Sequence, residues 1–164
     1  MQRETRRSGL PHHQQGTLAG QRNPWLIAGG FLSAIAALLH LAVIAGGPDW
    51  YRSVGAGEEM ARMAEQGLLR PALYTVAIAS LLAIWSLYAF AGAGRIRRLP
   101  LMRTALVIIS AIYLLRGLAV IPLWLLRPGL VDAFAIWSSL IVLVYGIAYA
   151  VGTWRAWPLL STRS

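Results

Sequence analysis

Neither cysteine nor lysine occurs in this sequence. Without cysteine there is no disulfide, no thiolate metal site and no cysteine nucleophile, and the redox compartment leaves no mark. Charge of any kind is scarce. Asp, Glu and Arg make up 13% of the residues, against about 25% in ordinary soluble domains. Too little polar surface remains to cover a globule in water. Only six residues are acidic, and none falls inside a long apolar run. This argues against a proton-coupled transporter, which normally places a carboxyl within a span. It also separates the chain from small four-helix multidrug exporters, which rely on a Glu in their first helix. Histidine is limited to His12, His13 and His40. A haem between helices takes axial imidazoles or an equivalent pair. His40 alone cannot supply them, so only a symmetric dimer would. No Walker loop, nucleophile elbow or HExxH motif occurs. Ser138-Ser139 has no histidine or acid beside it and reads as hydroxyls bonded to helix backbone. No catalytic residue, cofactor or metal is therefore assigned.

What is present is apolar: 57% of the residues are hydrophobic. Four runs reach the roughly 20 residues needed to cross a hydrocarbon core. They extend from Trp25 to Gly46, Pro71 to Ala93, Thr104 to Leu126 and Ala133 to Val151, and only the third contains a charge, Arg116. The runs are continuous rather than alternating, which excludes the strands of a membrane barrel. Short links make consecutive helices antiparallel neighbours. The expected fold is all-α, a four-transmembrane-helix up-down bundle spanning 25–154. It lies between a disordered basic arm, 1–24, and a short tail, 155–164. The arm is polar throughout, so it is not a secretory signal. His12-His13 within it lacks the further ligands of a metal site.

Arginine placement sets the orientation, because basic loops stay in the cytoplasm. Ten Arg fall in the arm, the 94–103 link and the tail, four fall in the other two links, and five of the six acids lie on that second side. Both termini are expected in the cytoplasm of a bacterial cell, with the chain in the inner membrane. Trp25, Trp124, Trp154 and Trp157 fall where aromatic belts form. A net charge of +9 would suit a nucleic-acid partner. Here the arginines flank apolar spans, where topology explains them, so no nucleic acid is expected.

Small residues mark close packing between helices in lipid. They recur at helical spacing as Gly29, Ser33, Ala36, Ala37 and His40 in the first span, and as Thr75, Ala79, Ala83 and Ser86 in the second. The third has Ser110, Tyr113 and Gly117, and the fourth has Ala135, Ser139, Gly146 and Ala150. These stripes are expected to converge on the bundle axis, either as packing seams or as the lining of a small cavity. The remaining Leu, Ile, Val and aromatic residues suit lipid.

Arg116 cannot readily shed its proton, and an arginine at mid-membrane costs about 2.5–3.5 kcal/mol on insertion scales. It should find a partner or a wet cavity. Tyr113, one turn earlier, offers an acceptor. His40 lies about 9 Å from the outer end of its span at 1.5 Å per residue. In the outer loop, 47–70, a short amphipathic helix is expected over 58–66. Glu58 and Glu59 suit its positive N-terminus, Met60, Met63 and Ala64 form an apolar side, and Glu58 can pair with Arg62. That helix is expected either on the membrane surface or as a lid over the bundle mouth. The candidate site is a polar cluster of His40, Arg116, Tyr113, Glu58 and Glu59 in the outer half of the bundle. The alternative is that Arg116 only snorkels or caps carbonyls.

His40 near the end of the first span, the Gly- and Trp-containing outer loop and Leu114-Leu115-Arg116-Gly117 in the third span carry a resemblance. Together they resemble a family of small bacterial four-helix membrane proteins bearing a domain of unknown function. The layout is also similar to the four-helix DoxX-like membrane proteins, without their opening Arg-Gly pattern. The resemblance implies the topology and no activity. Three functions stand open: a structural, accessory or ligand-binding protein for a lipid or quinone-like molecule; a membrane enzyme or redox accessory using His40 and Arg116; and a transporter subunit working as a homo-oligomer.

Overall fold

The computed structural model describes residues 23–161; residues 1–22 of the basic arm, with His12-His13, and the last three residues lie outside the described residues. The described chain is all helical. Helix α1, Pro24–Gly46, starts at a double cap: Asn23 Oδ1 accepts from the Leu26 amide at 3.3 Å and Pro24 occupies the first turn. It stops at Gly47, whose φ of +70° favours glycine. Two short helices follow, α2, Pro48–Ser53, and α3, Glu58–Glu65. The three long helices after them are α4, Arg70–Gly92; α5, Met102–Leu118, continued by α6, Val120–Leu126; and α7, Ala133–Ser161. Asp132 caps α7 by accepting from the Ala135 amide at 2.7 Å. Four segments are long and apolar enough to cross a membrane: Pro24–Gly46, Arg70–Gly92, Met102–Leu126 and Ala133–Leu160.

The long helices pack as two antiparallel pairs, α1 with α4 and α5 with α7, joined mainly along α1 and α7. Register is visible at the glycines. A Cβ at Gly117 would lie 2.8 Å from Leu143 backbone, and one at Gly146 would lie 2.8 Å from the Leu114 side chain. One index rises as the other falls, so α5 and α7 run oppositely, at backbone-to-backbone closeness that only small residues permit. Gly152 against Leu26 and Gly29 against Tyr149 repeat the pattern between α7 and α1. The start of α1 and the end of α7 thus share one end, the terminal end, and α2 and α3 cap the other.

Three features differ from expectation. The outer loop holds two helices rather than one. The signals for α2 are Pro48 at its first position, Asp49 in its first turn and Arg52 in its last. The third span is interrupted at Ala119. Pro122 has no amide to donate to the Leu118 carbonyl and its ring crowds that carbonyl, which breaks the ladder there. The fourth helix runs on to Ser161 through residues assigned to the tail.

At the cap end, α3 packs on α4 and α2 on α1. A small satellite core forms from Val43, Tyr51 and Ala61, with Met60 and Ala64 against it. Thr75 Oγ1 lies 3.3 Å from the Tyr51 hydroxyl, which ties α2 to the start of α4.

Candidate functional site

The stripes of small residues do converge. In α1 the buried face runs through Gly29, Ser33 and Ala37, and in α4 through Thr75, Ala79, Leu82 and Ser86. Ala83 is exposed instead. Ser86 Oγ donates to the Gly30 carbonyl at 2.8 Å, stitching the α1–α4 pair. The expectation that aromatic residues outside the stripes face lipid fails for Tyr145 and Tyr149, which are buried.

Tyr149 is fully buried and its hydroxyl donates to the Trp85 carbonyl at 3.0 Å. That bond takes its only proton, so Ser33 Oγ, 2.9 Å away, donates to Tyr149. Ser33 then has no proton left for Tyr113, also at 2.9 Å, so Tyr113 donates to Ser33. The directed chain Tyr113, Ser33, Tyr149, Trp85 carbonyl visits α5, α1, α7 and α4 in turn. Edge-on aromatic packing of Tyr113 on Trp85 at 4.9 Å and on Tyr145 at 5.5 Å surrounds it. This centre is closed and fully hydrogen-bonded, a structural clamp.

The polar residues nearer the cap end are arranged differently. A cleft of about 460 Å³ is lined by Arg52, Glu58, Arg116, Asp132, Phe134 and Ser138 among others. One wall is the α2–α3 connection, and the other is the junction of α5 with the start of α7. The connection reaches α7 because Gly55, with φ of +68°, lies flat against the Phe134 ring, where any Cβ would collide. Arg116 is exposed to the cleft and donates one hydrogen bond, from Nη1 to Ser139 Oγ at 3.3 Å. Among the described residues no carboxylate lies within 4.0 Å of its guanidinium.

Arg52 is the opposite case. It meets Glu58 at 2.9 Å, Glu65 at 2.6 Å and Asp49 at 3.2 Å. The hydrogen bonds it donates to Glu58 and then to Glu65 push its pKa further above the ordinary range. The Arg52 hydrogen bond holds the Glu58 carboxyl below its usual value, and Arg62, 3.3 Å away, adds to this. Arg52 thereby fastens α2 to both ends of α3.

Of the residues expected to cluster, the structure brings Arg116 and Glu58 into one cleft without direct contact. The Tyr113 hydroxyl is engaged by Ser33 at the bundle centre. Glu59 is exposed on α3 and does not line the cleft. His40 is half-buried outside it, and its Nδ1 donates to the Ala36 carbonyl at 2.7 Å, which leaves Nε2 as the free nitrogen. Asp132 and Phe134 in the cleft lining, and the buried Ser139 that accepts from Arg116, are the residues that sequence reasoning did not connect to Arg116. Asp132 carried a readable signal as an N-cap before an apolar run. No group of three or more His, Asp or Glu among the described residues is placed to hold a metal ion. The chain matches no family model, no curated protein and no solved structure.

Proposed function

We propose that this chain is a multi-pass protein of the bacterial inner membrane, with both termini in the cytoplasm, that binds a lipophilic ligand by its polar end in the cap-end cleft. Its role is accessory or structural to whatever that ligand serves. The observation that carries the reading is Arg116. It is a permanent cation inside the segment Met102–Leu126, it opens onto a cleft, and no described carboxylate compensates it within 4.0 Å. Intramembrane charges are functional candidates by default, because their burial is costly unless something answers them. The closed tyrosine clamp supports the same division of labour. It links the four helices without drawing on Arg116. The orientation rests on charge. Arg95, Arg97, Arg98, Arg103 and Arg155 gather at the terminal end, and Asp49, Glu58, Glu59, Glu65 and Asp132 at the cap end.

Native mass spectrometry of the gently purified chain tests this. One lipid- or quinone-sized molecule retained per chain is expected in the wild type and absent in Arg116→Gln. A wild-type chain that retains nothing rejects the binding reading.

A further inference from the structure

We propose that the cleft selects a zwitterionic headgroup, with a phosphate on Arg116 and a primary ammonium on Asp132. This rests on the ligand-binding reading above and names the chemistry the site would take.

Four charged residues line the cleft: Arg52, Glu58, Arg116 and Asp132. Their formal charges cancel, so the cleft as a whole attracts neither a plain anion nor a plain cation. Two of the four are engaged with each other. Arg52 uses Nε and Nη2 on Glu58, Nη1 on Asp49 and Nη2 on Glu65. Glu58 also accepts from Arg62. That leaves Arg116 and Asp132. Arg116 has five N–H donors and gives one of them to Ser139. Asp132 uses Oδ1 to cap the Ala135 amide, and its carboxylate pairs with no cation among the described residues. The two opposite charges share a cleft and stay apart, because α5 holds one and the start of α7 holds the other.

Their order along the membrane normal matters. Asp132 precedes the first turn of α7. Arg116 bonds to Ser139, seven residues further in, or roughly 10 Å at 1.5 Å per residue. The cation therefore sits on the membrane side and the anion at the rim. A phospholipid whose tails enter the bilayer presents its charges in the matching order, phosphate first and ammonium beyond it. An anionic lipid without an amine brings its phosphate to Arg116 and only neutral hydroxyls to the rim, so no cation answers Asp132. A quaternary amine offers Asp132 no N–H donor.

The full chain is reconstituted in nanodiscs of phosphatidylethanolamine, phosphatidylglycerol and phosphatidylcholine in equal amounts, and released lipids are read by native mass spectrometry. The wild type is expected to enrich phosphatidylethanolamine roughly tenfold over each of the others, the scale of one charge-assisted hydrogen bond. Asp132→Asn keeps the helix cap, since Asn caps as well as Asp. It is expected to retain a lipid and to lose the preference over phosphatidylglycerol. Arg116→Gln is expected to retain none. Soluble phosphoethanolamine is added in a second arm. Displacement at millimolar levels assigns recognition to the headgroup alone, and failure to displace assigns it to the whole lipid; the zwitterion is the ligand in both. A wild type that holds one lipid without headgroup preference, or prefers phosphatidylglycerol, overturns the proposal and leaves the binding reading standing. An unchanged preference in Asp132→Asn overturns it as well. A wild type that holds no lipid at all rejects the zwitterion proposal, and the binding reading falls with it when no quinone-sized molecule is retained either.

Discussion

At the scale of single residues, Ser33 has the most to do. It is fully buried and joins Tyr113 to Tyr149 through one hydroxyl. Ser33→Ala removes the acceptor of one phenol and the donor to another, and all three side chains are buried. Leaving buried polar groups unpaired costs about 1–3 kcal/mol. A clear fall in the thermal midpoint in mild detergent is expected. Ser138→Ala is the control, because Ser138 bonds only within its own helix, to the Ala135 carbonyl at 3.2 Å; it should stay within about 0.5 kcal/mol of wild type. Equal midpoints for the two variants would strip the tyrosine chain of its structural role. Ser33 was visible in the sequence because small residues repeat around it at helical spacing. Tyr149 was not. A tyrosine in an apolar run fits a lipid interface as well as a core, and what decides is the partner of its hydroxyl. Those partners, Ser33 and the Trp85 carbonyl, lie on helices far away in sequence. Arg116 stood out for the reverse reason, since one charge in an apolar run is conspicuous without any partner.

At the scale of elements, the long helices were legible and their lengths were not. Hydropathy reports how much of a helix is oily, and it stops where the lipid stops. Helix α7 goes on because its last turns pack on other protein. Arg103 stacks over Trp157 at 4.3 Å, Arg155 lies 6.0 Å from the Trp25 ring, and Arg98 donates to the Leu159 carbonyl at 3.0 Å. The break at Ala119 was readable from Pro122, but an apolar run passes over a proline without a change of composition. The cap, α2 with α3, is held by charge as much as by its small core, and its acid response follows. The Glu58 carboxyl titrates below its ordinary 4.5 because of Arg52. A depressed folded value means the stabilisation is fully present above the ordinary carboxylate value. It is lost as pH falls through the depressed one. Glu65 and Asp49 pair with the same guanidinium. Amide exchange over residues 50–66 is therefore expected to accelerate below about pH 4, an onset set by the ordinary carboxylate range. The spans should stay protected. Arg52→Gln should show the fast exchange already at neutral pH and only a small acid step from the remaining Glu58–Arg62 pair. A cap whose exchange ignores acid would mean that Val43, Tyr51 and Ala61 hold it without the ion pairs.

At the scale of the whole molecule, the two ends of the bundle differ in kind. The terminal end carries Arg95, Arg97 and Arg98 on an exposed link, with Arg103 and Arg155 beside it, and no acid among the described residues there. The cap end mixes both signs and ties most of them into ion pairs. Orientation follows the arginine count of the segments that flank the spans, ten in the arm, the 94–103 link and the tail against four in the other two links. The terminal end should therefore face the cytoplasm and the cleft should open outward. The absence of cysteine makes the test clean, because each introduced thiol is the only one. Val54, exposed in the cap, and Ile96, exposed in the arginine link, are suitable sites. In spheroplasts a membrane-impermeant maleimide is expected to label Val54→Cys at once and Ile96→Cys only after lysis. The reverse pattern would place Arg116 and Asp132 before the cytoplasmic leaflet, so that a ligand would have to reach the cleft from there. Labelling of both sites in intact spheroplasts would mean that the arginine link does not fix a single topology, and the charge asymmetry would then have no role in insertion.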